Sequence, residues 1–102
     1  MAKTKTKRFD AAEYLDSEEA RAAYLNEAIE SGDAAEISRA LGTVAKARGM
    51  SAVASDTGMS RESLYRSLSN TGNPEFGTVM KVLDSLDLEL AVKPKQRARA
   101  AK

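Results

Sequence analysis

Apolar side chains recur three and four positions apart over most of the chain, then alternate with polar ones near its end. Ala20, Tyr24, Leu25, Ala28 and Ile29 define one such face, and their spacing predicts a helix over residues 17–30. Asp16 followed by Glu19 supplies a capping pattern at its start, and Gly32 supplies a stop. Asp33 with Glu36 repeats the pattern ahead of Ile37, Ala40, Leu41, Val44 and Ala45, predicting a second helix that ends at Gly49. Ser51 is the expected cap of a much shorter helix containing Val53 and Ala54, which must finish before Gly58. Ser60 begins another, with Leu64 and Leu68 one turn apart on its buried side. Residues 70–74 carry turn chemistry, and Pro74 suits the first turn of a helix bearing Phe76, Val79, Val82, Leu83 and Leu86.

After Asp87 the period changes, because Leu88, Leu90 and Val92 alternate with Glu89, Ala91 and Lys93. A short strand in an otherwise helical chain has no sheet to join, so its backbone groups call for the same strand of a second copy. The alternative is that residues 88–92 cap their own core and a homodimer forms elsewhere, for instance on the last helix. Phe9, Tyr14 and Leu15 suggest an extra helical turn at the start. The expectation is an all-α domain over residues 9–92, with that extra N-terminal helix and a short C-terminal β-strand. Residues 1–8 and 93–102, basic and poor in apolar anchors, read as disordered arms.

A chain of 102 residues, 42% of them hydrophobic, supports one core and no deep second domain. It has no cysteine and no histidine. Disulfides, thiolate or imidazole metal sites and the Ser-His and Cys-His catalytic arrangements are therefore excluded. Neither an enzyme nor a cofactor or metal protein is expected. No apolar run reaches a membrane span and the basic start lacks an apolar signal core, so the expected location is the cytoplasm. The net charge of +1 conceals a sorting of charges along the chain. Acids dominate residues 10–36, whereas Arg39, Lys46, Arg48, Arg61 and Arg66 outweigh Asp56 and Glu62 in the centre.

The centre also holds a recognisable pairing of short helices. Two helices that cross steeply need a small residue where they meet and a Gly at the turn, and Ala54 and Gly58 answer both demands. Val53, Met59 and Leu64 then fall on the core side, leaving Ser60, Arg61, Glu62, Tyr65 and Arg66 outward. A helix that enters the major groove needs this distribution of donors at its exposed face. Arg61 and Arg66 are the best candidates for base or phosphate contact, since each offers a rigid fork of donors. Tyr65 could stack on a sugar or a thymine methyl, or pack half-buried. Ser51 at a helix start, and Lys46 and Arg48 near a helix end, are candidates for phosphate contact, although the two cations also suit the negative end of their helix without DNA. The competing reading is a helical hairpin whose polar residues only meet water. Glu27 and Glu30 lie late in their helix, where acids are mildly unfavourable, and are candidates for attracting a basic partner.

The segments "YLNEAIESGD", "ARGMSAVASDTGMSRESLYRSLS" and "GNPEFGTVMKVLDSL", in that order, resemble the addiction-module antidote proteins, HigA-like antitoxins with a Cro/repressor-type helix-turn-helix domain. The resemblance covers residues 9–92. It implies a five-helix lambda-repressor-like fold, binding of a RelE/ParE-like toxin, and repression of the shared operon on double-stranded operator DNA. Ser67 stands where the repressor pattern usually has an apolar residue, which leaves Leu68 to do the packing. A stand-alone repressor without a toxin, or an adaptor whose polar helix contacts protein, are the other readings.

Overall fold

The computed structural model describes residues 14–69 and 71–95, so the expected arm at 1–8, Phe9 and most of the expected tail lie outside the described residues. Those described form five helices: α1 (Glu18–Ser31), α2 (Ala34–Arg48), α3 (Met50–Thr57), α4 (Arg61–Ser67) and α5 (Phe76–Ser85). No strand occurs among them, and the chain is all-α.

Local chemistry accounts for the boundaries. Ser17 caps α1, its hydroxyl accepting from the Ala20 amide at 3.1 Å. The expected cap, Asp16, lies one residue too early: the extended cap conformation (φ −134°, ψ 160°) falls on Ser17, so its oxygen meets the free amides. Glu18 and Glu19 place negative charge beside the positive end of the helix. Gly32, in the left-handed conformation, closes it by donating to the Ile29 carbonyl. On the core side Leu25 is buried and Ala20, Tyr24 and Ala28 pack partly against it. Ile29, expected there too, is 43% exposed on the last turn. Ahead of α1, Leu15 is fully buried, and the Arg21 guanidinium donates to its carbonyl at 3.1 Å.

Asp33 caps α2 as expected, accepting from the Ala35 amide at 3.0 Å. Glu36 does not complete a capping box in the structure and instead pairs with Arg39. Ala40, Leu41, Val44 and Ala45 are buried, with Ile37 packed at the margin. Gly49 then both ends α2 and begins α3, with no side-chain cap. Ser51 is therefore an exposed residue inside the first turn of α3 and not its cap, because a single residue separates the two helices. α3 turns Met50, Val53, Ala54 and Thr57 inward and packs against α5, whose Val82 and Leu83 are buried, as is the following Leu86. Glu75, not Pro74, is the residue from which α5 springs. Phe76, expected on its apolar face, is 67% exposed, since the core side of this helix runs through Val79, Val82, Leu83 and Leu86.

The change of period at Asp87 has a backbone cause. Asp87 takes a left-handed φ of 60°, its amide donates to Asp84, and the Leu88 amide reaches back to the Leu83 carbonyl at 2.9 Å. This is a Schellman closure with an acid where Gly is usual. It turns Leu88 onto the core and leaves Leu90 and Val92 exposed. Residues 88–95 form no strand, there being no second strand in the described chain to complete a ladder.

The approach of α2 to the end of α4 has no slack. A Cβ added at Gly42, in the middle of α2, would lie 2.8 Å from the backbone carbonyl oxygen of Leu68. Gly42→Ala should therefore destabilise the chain by about 1–3 kcal/mol despite the better helix propensity of Ala. Thermal or urea unfolding reads this directly, and a raised melting temperature would mean that α2 and the end of α4 do not approach so closely.

Candidate nucleic-acid interface

The turn between α3 and α4 is built from backbone conformation more than from close packing. Gly58 takes φ 74° and ψ 20°, and the Met59 amide donates to the Ala54 carbonyl at 3.0 Å. A Cβ on Gly58 would meet nothing within 4 Å, so close helix approach makes no demand on this residue. Its requirement is the left-handed φ alone. Ala54 is the small residue in the crossing: it is buried, and its carbonyl also accepts from the Thr57 hydroxyl. Val53 and Leu64 are fully buried and Met59 packs beside them, as the spacing predicts.

Ser60 caps α4, its hydroxyl accepting from the Ser63 amide at 3.0 Å. With Leu64 and Leu68 turned inward, Arg61, Glu62, Tyr65 and Arg66 all stand exposed on the opposite side. Leu68 is buried, so it does supply the packing that Ser67 cannot. The Arg61 guanidinium lies 5.7 Å from the centre of the Tyr65 ring and the Lys46 ammonium 6.0 Å from it. Lys46 is thereby brought from the end of α2 to the face of α4.

Arg48, two positions further on, goes elsewhere. Residues two apart on a helix do not share a face. Its Nε donates to the Ser85 carbonyl at 3.4 Å, and it borders a depression of about 380 Å³ with Asp56, Lys81, Asp84 and Asp87. There the Ser85 hydroxyl donates to the Asp56 carboxylate at 2.7 Å. Arg48 thus sits against the negative end of α5. Glu27 and Glu30 also part company. Glu27 lines a shallow groove of about 230 Å³ with Tyr24, Arg39 and Ala40, whereas Glu30 pairs with Lys93 at 3.6 Å. Among the described residues no group of His, Cys, Asp and Glu is placed to hold a metal ion.

Two positioning residues escape a reading of spacing alone. The buried Ser38 hydroxyl lies 3.3 Å from the Ser67 carbonyl and 3.0 Å from that of Ser69, tying α2 to the last turn of α4. Gly42 lets Leu68 sit one turn further along the same helix. A Gly inside an otherwise regular amphipathic helix was the available signal for the second; Ser38 offered none, a hydroxyl being ordinary on a helix.

The sequence profile of a family described as "probable addiction module antidote protein" matches residues 5–94. A protein of Haemophilus influenzae, described only as uncharacterized, is 52% identical to this chain over 86 residues, which span 84% of this chain and 89% of the relative. No solved structure matches the chain.

With only the seven residues of α4 to hold in shape, its cap carries weight. Ser60→Ala should lower stability by about 0.5–2 kcal/mol. Amide exchange at Ser63 should quicken by more than exchange in α2. Unchanged exchange there would show that the hydroxyl is not the partner of that amide.

Proposed function

This chain belongs to the probable addiction module antidote proteins, and we propose that it is the antitoxin of a toxin-antitoxin pair which also represses its own operon. Membership implies a toxin partner of some kind. In this proposal the toxin is RelE/ParE-like, α3 and α4 form a helix-turn-helix, and a cytoplasmic homodimer binds double-stranded operator DNA without catalysing a reaction. The observation that carries the DNA reading is the exposed face of α4, where Arg61, Glu62, Tyr65 and Arg66 stand together and Lys46 joins them. Arg61 and Arg66 read base edges or phosphate, Ser60 and Glu62 line the groove, and Lys46 and Ser51 contact phosphate. Arg48, engaged by Ser85, contributes only if it leaves that carbonyl. Glu27, in the groove between α1 and α2, and Glu30 offer the toxin a carboxylate surface. No helix among the described residues is long and apolar enough to cross a membrane.

A dimer would present two copies of α4 to one side of the duplex, roughly 34 Å apart, and so select a palindromic site. The exposed Leu90 and Val92 beyond the core-bound Leu88 are its proposed contact. The stand-alone repressor is the second reading, and co-expression with the neighbouring gene separates the two: a stable complex with a small basic protein supports the antitoxin.

Arg61→Ala and Arg66→Ala should each weaken specific operator binding by about 1–3 kcal/mol at fixed salt while leaving the circular dichroism unchanged. Parent-like affinity in both would remove α4 from the groove. Truncation after Glu89 keeps Leu88 and should yield a folded monomer by sedimentation. A dimer that survives the truncation would move the interface to another surface, such as α5.

A further inference from the structure

The ring of Tyr65 has two cations at its disposal, one from its own helix and one from another. Arg61 precedes it by four positions on α4, the spacing that brings helical side chains together. Lys46 comes from the last turn of α2. At 5.7 and 6.0 Å from the ring centre, both lie within the range at which an aromatic quadrupole attracts a positive charge. Arg61 has no ion pair among the described residues, and neither has Lys46; the ion pairs shown are Arg39 with Glu36 and Lys93 with Glu30. Without the ring, two like charges on flexible stems would move apart into water.

We propose that Tyr65 is a positioning residue whose ring gathers Arg61 and Lys46 into one cationic unit, set for a polyanion, and that it does not itself read a base. This rests on the DNA-binding reading above and deepens it. A preordered pair loses less side-chain freedom on binding than two free cations would. The unit also spans two elements: Arg61 opens α4, the helix set for the groove, and Lys46 lies outside that helix, where a backbone phosphate would be met. The phenolic hydroxyl plays no part, since it is the face of the ring that attracts the cations.

The test compares the parent with Tyr65→Phe, Tyr65→Leu, and Tyr65→Leu combined with Arg61→Ala, each titrated with a duplex of the chain's own promoter region across a range of salt. Tyr65→Phe should bind within about twofold of the parent. Tyr65→Leu should bind about three- to tenfold more weakly, with a shallower dependence on salt. The double variant should lose less than the sum of the Tyr65→Leu and Arg61→Ala losses, because Tyr65 acts in part through Arg61 and the remainder is the release of Lys46. In the free protein, the ring current of Tyr65 should displace the Arg61 and Lys46 methylene resonances in the parent and in Tyr65→Phe but not in Tyr65→Leu. The proposal is overturned if Tyr65→Leu binds as the parent does, if Tyr65→Phe loses as much as Tyr65→Leu, or if the losses add. If the parent ignores the duplex altogether, the DNA reading fails, and the resonances of the free protein alone decide whether Tyr65 orders the pair.

Discussion

The orientation of α4 is fixed where its last turn meets the middle of α2. Carbonyl groups at the end of a helix have no partner within it. Here the single proton of the buried Ser38 hydroxyl is within reach of the Ser67 carbonyl at 3.3 Å and of the Ser69 carbonyl just beyond α4 at 3.0 Å, the latter also accepting from the Gly72 amide. Both carbonyls belong to half-buried residues, so this bond contributes on the order of 0.5–1.5 kcal/mol to holding the end of α4 against α2. One turn along α2, Gly42 removes the side chain that would hold Leu68 away. Leu68 can then enter the core beside Leu64, and the opposite side of α4 is left to solvent. The exposed face follows from how the buried one is seated.

Charge is distributed over this frame by helix. α1 and the start of α2 carry the acids Glu18, Glu19, Glu27, Glu30 and Glu36, with Glu36 held by Arg39 and Glu30 by Lys93. Both pairs are well exposed, and pairs of that kind contribute about 0–1 kcal/mol, so their weight is in the shape of the surface potential more than in stability. The end of α2 and the face of α4 carry Lys46, Arg61 and Arg66. A net charge of +1 is compatible with two strongly polar surfaces because folding keeps the helices that bear them distinct.

What was legible in the sequence is what local chemistry decides. Apolar periodicity gave all five helices, and Gly32, Asp33, Gly58 and Ser60 stop or cap them where expected. The caps that shifted did so because two good cap formers stood side by side at Asp16 and Ser17, or because α2 and α3 share Gly49 and leave Ser51 no role. Ile29 and Phe76 have helical spacing and still face out, since periodicity says which positions share a face and tertiary packing decides how much of it is covered. Alternation after Asp87 resembles a strand, yet the left-handed Asp87 sends only Leu88 inward. In the candidate site the outward residues of α4 were legible from their offset against Leu64. The divergence of Lys46 from Arg48 needed helix geometry, and Ser38 needed the fold itself, because its partners lie 29 and 31 positions away.

At seven residues, α4 is shorter than any helix that persists alone in water. Its shape is borrowed from the core. The population of molecules presenting an ordered face is therefore governed by the same equilibrium as the fold itself. Any ligand that binds only the ordered face must pull that equilibrium toward the folded state, in proportion to the logarithm of its concentration over its dissociation constant. Recognition and folding are in this way two readings of one free energy, and a partner of α4 acts on the whole chain as a stabiliser without touching its core.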